Sequence, residues 1–502
     1  MTSITLLLTV ERTHFMSSSI FSYFISEANV NIKELPVRFQ FGKYTVLTDE
    51  KTPYISYSAK NCDCIIFGLA VDLTNNDYTN IARNVVLNCD DISSVIRYEN
   101  KLGGKYILMY RKNEKHYIMG DATCSLPLFY SKSFMCTNNI EYIHHLIACQ
   151  SNPTLRHIRN SGDISQAMPY DVTEYTELKQ LLPNHYLIMD TATSVRFINC
   201  SEKQIALTPT QAASITKPLI KSLCEYYNAM FKLYCPITSG RDSRVVLAFL
   251  AERNKNIDCY TIKHKEHSDN APDLCIPRDL CEKLNLSHKV IEDTDVPYEF
   301  KKNIDELLGN GNYSFRTLQI AKTVNEHYGD GAVINGDIIG QIGKCSLHRD
   351  IPLCFATPSY FRCKLHNYSN ESKTYLKYWL NEISNSGECV NAFDLFSVEN
   401  RLGRWAGQEN LIYNSIGQLY LNIFNSRSII YVWTAVPRNK RKRSAIHIEL
   451  IKKELNDALC VPFEKDENIF IKLSKLNGFT YLLSSYLKYY AEKIKYKGGD
   501  VK

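Results

Sequence analysis

The residues best suited to chemistry lie in one short polar stretch near the middle of the chain. Its members are small or carry hydroxyl, guanidinium or carboxylate groups: Thr238, Ser239, Gly240, Arg241, Asp242 and Ser243. The apolar run at 231–237 predicts a strand before them, and apolar residues at helical spacing predict a helix after them. A tight turn at that point directs backbone N–H groups and the positive end of the helix dipole at one spot. The stretch therefore predicts a cradle for nucleotide phosphates, with the Asp242 carboxylate able to hold Mg²⁺.

An ordinary turn between a strand and a helix is the alternative, since Ser, Gly and Asp are common in such turns. A Walker-type loop is excluded, because Gly-x-x-x-x-Gly-Lys-Ser/Thr does not occur in the sequence. The stretch resembles the PP-loop of ATP pyrophosphatases, Ser-Gly-Gly-x-Asp-Ser, with Thr238 and Ser239 replacing the first two residues. The resemblance implies that ATP lies with its phosphates over the loop, its adenine near Tyr260, Thr261 and Ile262, and Mg²⁺ on Asp242.

The surrounding pattern predicts a parallel sheet. A strand at 256–263, a helix at about 276–286 with Pro277 in its first turn, and a strand at 287–291 complete a β-α-β-α-β unit. Ligands of such sheets bind at the carboxyl ends of the strands. The predicted cradle lies at that edge, so the fold and site predictions agree.

A second motif follows the predicted strand at 332–334. The residues from Asn335 to Gly343 resemble the Ser-Gly-Glu-Gly-Ala-Asp-Glu signature of asparagine synthetases. The resemblance places Gly336 in the binding loop and Asp337 in a catalytic role beside the reacting carboxylate or the incoming amine. The later Asp of the family, expected to help hold Mg²⁺, falls on Gly340, which leaves the completeness of the metal site open. A plain turn is the alternative, because Asn, Gly and Asp favour turns.

The N-terminal region carries an independent signal. Strand-like runs at 103–110 and 115–121 lead into 121–130, and together they are similar to the glutamine-hydrolysing domain of asparagine synthetases. That resemblance implies an α+β N-terminal-nucleophile-like sandwich. The family uses a terminal cysteine, but the first cysteine here is Cys62; Thr2 and Ser3 would be poorer nucleophiles. We therefore expect a domain without glutaminase activity, as in β-lactam synthetases and lasso-peptide cyclases.

Length and composition favour a globular enzyme of two or three domains. The chain has 502 residues, of which 44% are hydrophobic and 22% charged. We place a degenerate amidotransferase-like domain at 1–205 and an α/β PP-loop (adenine nucleotide alpha hydrolase-like) synthetase domain with a helical C-terminal extension at 206–502. Seventeen cysteines without a secretory signal indicate a cytoplasmic protein. Unpaired cysteine spacing argues against zinc, and the apolar segment at 4–10 is too short to span a membrane.

Several residues in the C-terminal third could face the cleft. Arg401, Arg404 and Trp405 form one group, and Arg427 is a further catalytic candidate. The basic run at 437–443 is either a solvated loop or a neutraliser of departing pyrophosphate. Nucleic-acid binding is disfavoured, because the net charge is only +6.

The predicted function is an ATP-dependent ligase that joins a small-molecule or peptide carboxylate to an amine or ammonia, with asparagine biosynthesis among the possible roles. ATP and Mg²⁺ are the expected cofactors, and a homodimer is possible. Two alternatives stay open: a pseudoenzyme that acts as a binding or scaffold protein, and another use of the PP-loop, such as tRNA thiolation.

Overall fold

A computed structural model of the chain describes residues 20–152, 168–197, 205–308, 313–463 and 478–499, apart from 255, 266, 368 and 387–389. Thr2, Ser3 and the apolar segment at 4–10 lie outside the described residues. Residues 198–204 lie outside them as well, so the predicted domain boundary at 205/206 stays a prediction.

Two six-stranded antiparallel sheets form the N-terminal region. The first sheet has the order β10-β8-β9-β1-β3-β2 and the second the order β12-β11-β7-β6-β5-β4. The strands are β1 (Tyr23–Ser26), β2 (Val37–Phe41), β3 (Tyr44–Thr48), β4 (Tyr54–Ala59), β5 (Cys62–Asp72), β6 (Leu102–Lys112), β7 (Lys115–Gly120), β8 (Phe129–Ser131), β9 (Met135–Thr137), β10 (Leu178–Gln180), β11 (His185–Ile188) and β12 (Thr193–Arg196). The accompanying helices are α1 (Ile81–Asn88), α2 (Ile92–Glu99), α3 (Ile140–Ile147) and a 3₁₀ turn at Met189–Thr191.

The inner faces of the two sheets share one apolar core. The Tyr23 and Phe67 rings, one from each sheet, lie 5.0 Å apart, and Val46 and Ile107 belong to the same cluster. Helices α1 and α2 cover the outer face of the second sheet, and α3 covers the outer face of the first. Because β6 is covered on both sides, nine consecutive residues of it are buried. The N-terminal region thus forms four layers, a helix layer outside each of two packed sheets. Its relation to the N-terminal-nucleophile fold stays a prediction.

A five-stranded parallel sheet organises the C-terminal region. Its order is β15-β14-β13-β16-β17, and every neighbouring pair is parallel. The strands are β13 (Leu233–Pro236), β14 (Asp258–Lys263), β15 (Ser287–Glu292), β16 (Ala332–Asn335) and β17 (Leu419–Asn422). The predicted α/β fold with a parallel sheet is confirmed for this region.

Helices cover both faces of the parallel sheet and continue to the end of the described chain. They are α4 (Pro209–Met230), α5 (Asp242–Arg253), α6 (Pro272–Lys283), α7 (Tyr298–Leu308), α8 (Phe315–Tyr328), α9 (Pro358–Lys364), α10 (Glu371–Ser386), α11 (Ala392–Phe396), α12 (Gly407–Ser415), α13 (Arg427–Thr434), α14 (Arg438–Arg441), α15 (Ala445–Glu454) and α16 (Gly478–Gly499). Two segments are π-helical, Ile339–Gly343 and Ser397–Ala406, and two are 3₁₀ turns, Leu353–Phe355 and Asn456–Leu459. The helix-rich C-terminal third agrees with the prediction.

Helix boundaries follow capping chemistry. Thr208 caps α4 by accepting a hydrogen bond from the Gln211 N–H, and Pro209 occupies the first turn, as predicted. The helix predicted to start near residue 276 begins instead at Pro272. Proline suits the first helical position, where no N–H is needed. Pro277 consequently lies inside α6 and not in its first turn, which corrects the prediction.

Candidate functional site

The two sequence motifs meet at one edge of the parallel sheet. Strand β13 ends at Pro236 and leads into the loop at 237–241, and the adjacent β16 ends at Asn335 and leads into a helical turn. The chain passes from β13 to β14 on one side of this pair of strands, and from β16 to β17 on the other side. Such a switch point leaves a crevice outside the carboxyl ends of the strands, where α/β proteins bind ligands.

The loop after β13 is held by its own hydroxyl groups. The Thr238 N–H donates to Ser243 Oγ at 3.1 Å, and the two hydroxyls lie 3.1 Å apart. The Gly240 N–H donates to Thr238 Oγ1 at 3.3 Å. Helix α5 then begins at Asp242 without a side-chain cap at Arg241. The positive end of α5 therefore faces the crevice, as an anion-binding helix terminus requires.

Ser239 is committed to a contact inside the protein, unlike the ligand-binding residue that the sequence predicts. Its side chain is buried, and both its N–H and its hydroxyl donate to Asp273 Oδ1, at 2.9 and 2.6 Å. Asp273 comes from the first turn of α6. These two hydrogen bonds tie the loop to α6 and place the Asp273 carboxylate behind the loop.

Asp242 is engaged on both carboxylate oxygens. Lys344 Nζ lies 2.9 Å from Oδ2, and His447 Nε2, from α15, lies 2.8 Å from Oδ1. Burial acts to raise the pKa of Asp242, but the His447 hydrogen bond and the Lys344 charge outweigh it and hold that pKa below its ordinary value. Burial lowers the pKa of His447, although the hydrogen bond and the charge of Asp242 oppose this. No sequence motif points to Lys344 or His447 as a partner of Asp242.

Two glycines allow the second motif to approach Asp242. A Cβ on Gly336 would lie 3.2 Å from the Asp242 backbone carbonyl. A Cβ on Gly340 would lie 2.9 Å from Asp242 Oδ2, closer than real Cβ atoms approach such atoms. Because Lys344 and His447 hold that carboxylate in place, it cannot easily move aside. The helical turn after β16 therefore packs directly on the start of α5.

These residues do not fit the predicted Mg²⁺ site. Both carboxylate oxygens of Asp242 contact other side chains, those of Lys344 and His447, and Gly340 supplies no second carboxylate. Among the described residues, no group of three or more His, Cys, Asp and Glu side chains could hold a metal ion. The expectation that Asp242 ligates Mg²⁺ against phosphate is thus not supported by its surroundings.

Asp337 forms an acid–base cluster beside the loop. The Tyr420 hydroxyl donates to Asp337 Oδ2 at 3.3 Å, and the Arg401 guanidinium and the Glu409 carboxylate act on it electrostatically. Burial and the Asp242 charge raise the pKa of Asp337 to about 6, although the Tyr420 hydrogen bond opposes this. Burial and Asp337 likewise raise the pKa of Glu409. Two interacting carboxyl groups whose pKa values are raised above the ordinary range suit general acid–base work.

A π-helical segment presents Arg401 to this cluster. The segment Ser397–Ala406 interrupts a helix that otherwise continues from α11 to α12. Arg401 stacks over Trp405, 4.7 Å from the ring centroid, and its buried Nε has no hydrogen-bond partner among the described residues. Such segments are rare and occur often at functional sites. Sequence reasoning singled out Arg401 and Trp405, but it missed Glu409 and Tyr420, which follow no motif.

The residues predicted to lie near adenine are mostly buried. Tyr260 packs on Tyr328 with ring centroids 4.8 Å apart, and Thr261 Oγ1 donates to the Ile237 carbonyl at 2.7 Å. Ile262 is half-buried. Side-chain contact with a ligand is therefore open to Ile262, whereas Tyr260 and Thr261 shape the sheet beneath. Their role toward adenine stays a prediction.

Arg427 does not face the crevice, which corrects the expectation of a catalytic role. It is buried, and its guanidinium binds Glu99 Oε2 at 2.5 Å, Asn184 Oδ1 at 3.0 Å and the Gly120 carbonyl at 3.0 Å. All three partners come from the N-terminal region. The arginine comes from the C-terminal region, so this residue fastens the two halves of the chain together.

The basic run at 437–443 is also mostly committed to structure. Arg441 is buried against Asp394 at 2.6 Å, Arg438 donates to the Ile351 carbonyl at 2.6 Å, and Lys442 pairs with Asp350. These contacts fit neither a solvated loop nor a free pyrophosphate clamp. Arg404 similarly donates to the Val172 carbonyl at 2.6 Å.

A small cavity lies between the two halves of the chain, next to Asp337. It has room for about one water molecule, about 20 Å³, and Lys105, Asn410 and Tyr420 also line it. Lys105 Nζ donates to Asn410 Oδ1 and Asn414 Oδ1, both at 2.8 Å. Burial lowers its pKa to about 7. The N-terminal region thus reaches to the edge of the acid–base cluster.

No protein-family model and no curated protein matches the chain. Solved structures similar to parts of it include a nicotinamide mononucleotide synthetase from Francisella tularensis, at 14% identity and TM-score 0.19, over 36% of this chain and 74% of that one. A U34-tRNA thiolase from Methanococcus maripaludis matches at 13% identity and TM-score 0.20, over 35% of this chain and 70% of that one. A glutamine-dependent NAD⁺ synthetase from Acinetobacter baumannii matches at 8% identity and TM-score 0.21, over 48% of this chain and 62% of that one. With TM-scores this low, the functional proposal rests on the site itself.

Across the described part of the chain, no helix is both long and apolar enough to cross a membrane.

Proposed function

We propose that this protein is an ATP-dependent ligase that activates a carboxylate as an acyl-adenylate and transfers the acyl group to an amine or ammonia. One observation carries the proposal: the uncapped start of α5 and the Asp337 cluster flank the same crevice at the ends of β13 and β16. One side of that crevice suits phosphates, and the other suits proton transfer at a carbonyl centre.

The loop after β13 would hold the triphosphate. The first N–H groups of α5 and the Thr238 and Ser243 hydroxyls supply donors, and Arg241 is exposed beside them. The substrate carboxylate would attack the α-phosphorus, and the bond to pyrophosphate would break. Positioned donors and cations stabilise the charge of the departing pyrophosphate.

The Asp337 cluster would serve the second half-reaction. The amine attacks the carbonyl carbon of the adenylate, AMP leaves, and the proton lost by nitrogen passes to the Asp337 carboxylate. A pKa of about 6 leaves Asp337 deprotonated at neutral pH while keeping it basic enough to accept that proton. Arg401, stacked on Trp405, is placed to orient the substrate carboxylate.

The finer identity follows from the sequence resemblance. We assign the chain to the asparagine synthetase-like enzymes, in a subgroup without glutaminase activity that takes ammonia or another amine. The amidotransferase-like domain at 1–205, the synthetase domain at 206–502, a cytoplasmic location and a possible homodimer belong to the same proposal.

A second candidate is a nucleotide-binding pseudoenzyme. It is favoured by the commitment of Ser239 to Asp273 and of Asp242 to Lys344 and His447. These contacts remove donors and a metal ligand from the cradle. Such a protein would bind nucleotide without turning it over.

Replacement of Asp337 tests the ligase. With wild type, carboxylate-dependent exchange of labelled pyrophosphate into ATP reports adenylation, and amide formation reports the second step. We expect Asp337→Asn to keep the exchange but lose amide formation by about 100-fold or more, because only the second step needs the base.

The matched control is Asp295→Asn, which removes an exposed carboxylate paired with Lys265 and should leave both steps unchanged. Amide formation at the wild-type rate by Asp337→Asn would contradict the proposed role. Binding of an ATP analogue to wild type, without exchange for any carboxylate offered, would favour the pseudoenzyme.

A further inference from the structure

Lys344 occupies the position beside Asp242 where a divalent cation would be expected. Its ammonium lies 2.9 Å from Asp242 Oδ2, and the two side chains are exposed to similar extents, 34% and 32%. The pair is therefore only partly buried, and about a third of each side chain is exposed. On the other carboxylate oxygen, the buried His447 fixes the orientation of Asp242.

The backbone explains why a lysine and not a second carboxylate occupies this place. The π-helical turn at Ile339–Gly343 ends immediately before Lys344, whose N–H donates to the Ile339 carbonyl at 3.1 Å. Gly340 lies on this turn so close to Asp242 that even a Cβ would crowd Oδ2. A carboxylate at residue 340 would be forced against the Asp242 oxygen that Lys344 binds.

The chemistry of an ammonium suits the position. Lysine offers three N–H donors, and one of them is used by Asp242. Two remain for phosphate oxygens, and lysine binds phosphate as a compact point charge. Asp242 would then orient the ammonium in the same way that a ligand carboxylate holds a metal ion.

We propose that Lys344, held by Asp242, replaces the divalent cation of the nucleotide site, so that the protein binds the triphosphate of ATP without Mg²⁺. This inference rests on the proposed function, since it concerns the same crevice. It predicts a nucleotide site whose affinity does not depend on metal ions.

Calorimetric titration of the full-length protein with a non-hydrolysable ATP analogue, in EDTA and in Mg²⁺, tests this inference. We expect the two dissociation constants of the wild type to agree within about threefold. Lys344→Met should weaken binding in EDTA by about 10-fold to 100-fold, the range for a lost charge-assisted hydrogen bond. Mg²⁺ should partly restore binding to this variant, because loss of the lysine leaves the Asp242 carboxylate free to bind the cation. A purely structural lysine would give no such rescue.

Two further variants complete the experiment. Lys344→Arg keeps the charge and should bind within about tenfold of wild type in EDTA. Lys452→Met is the matched control: it removes an exposed lysine of α15 and should leave binding unchanged.

The possible failures are distinguishable. Wild-type binding that requires Mg²⁺ would overturn the inference and leave the proposed function standing. Absence of binding in both EDTA and Mg²⁺ would overturn the proposed function and the inference with it. The wild-type comparison alone decides between these outcomes if Lys344→Met fails to fold.

Discussion

At the scale of single residues, the site depends on how neighbours set the pKa of Asp337. A carboxyl group in water titrates near pH 4, but burial and the Asp242 charge raise the pKa of Asp337 to about 6. A general base must be deprotonated to work. Activity should therefore rise as pH increases through about 6 and reach a plateau above it.

Tyr420→Phe should move this acid limb to higher pH. The Tyr420 hydroxyl donates to Asp337 Oδ2 at 3.3 Å and acts to lower its pKa. Its removal should shift the midpoint of kcat/KM upward by about half to one pH unit. The phenylalanine ring can keep the stack on Tyr413, whose centroid lies 4.1 Å away.

Tyr413→Phe is the matched control for this shift, because it alters the other ring of the same stack. A pH profile that is unchanged in Tyr420→Phe, or shifted equally in both variants, would show that the hydroxyl does not tune Asp337.

At the scale of elements, sequence reasoning succeeded where a pattern repeats and failed where contacts are distant. The strand–loop–helix at 233–253 and the strand before Gly336 follow from hydrophobic periodicity and turn residues. His447 lies 205 residues from Asp242, and no local pattern could link them. Arg427 was misjudged because a lone arginine after a strand has the same sequence signature whether it faces a cleft or a buried carboxylate.

Arg427→Met should destabilise the fold and leave the site intact. This substitution leaves the buried Glu99 without its guanidinium partner, and among the described residues Glu99 keeps the hydrogen bond from the Tyr106 hydroxyl at 2.6 Å. We expect the free energy of unfolding in urea to fall by about 3–5 kcal/mol, as for loss of one partner of a buried ion pair. Nucleotide affinity of the folded variant should match wild type.

Arg83→Met, which alters an exposed arginine on α1, should change the stability by less than about 0.5 kcal/mol. If Arg427→Met kept wild-type stability but lost activity, Arg427 would be catalytic after all.

At the scale of the whole molecule, the two halves of the chain meet beside the reaction site. Asn425 joins them by donating to the Gly104 carbonyl at 2.7 Å and to Asp121 Oδ1 at 2.9 Å. The 121–130 stretch, which sequence analysis associated with a glutaminase domain, thus supplies part of the contact with the synthetase-like region. The parallel sheet was predictable from its repeating pattern, whereas this docking depends on pairings that no local sequence specifies.

The most direct test of the central claim is whether nucleotide binds over the loop after β13. Gly240→Trp should block that position, because a Cβ at residue 240 would lie 3.3 Å from Thr238 Oγ1 and close to no other described atom, so that a bulky side chain there would fill the space over the loop. Ser214→Trp, on an exposed face of α4, adds the same bulk elsewhere. In calorimetric titrations with a non-hydrolysable ATP analogue, we expect binding by wild type and Ser214→Trp and a loss of about 100-fold or more in Gly240→Trp, as for a sterically filled pocket. Equal affinity in all three proteins would place the nucleotide elsewhere and contradict the account.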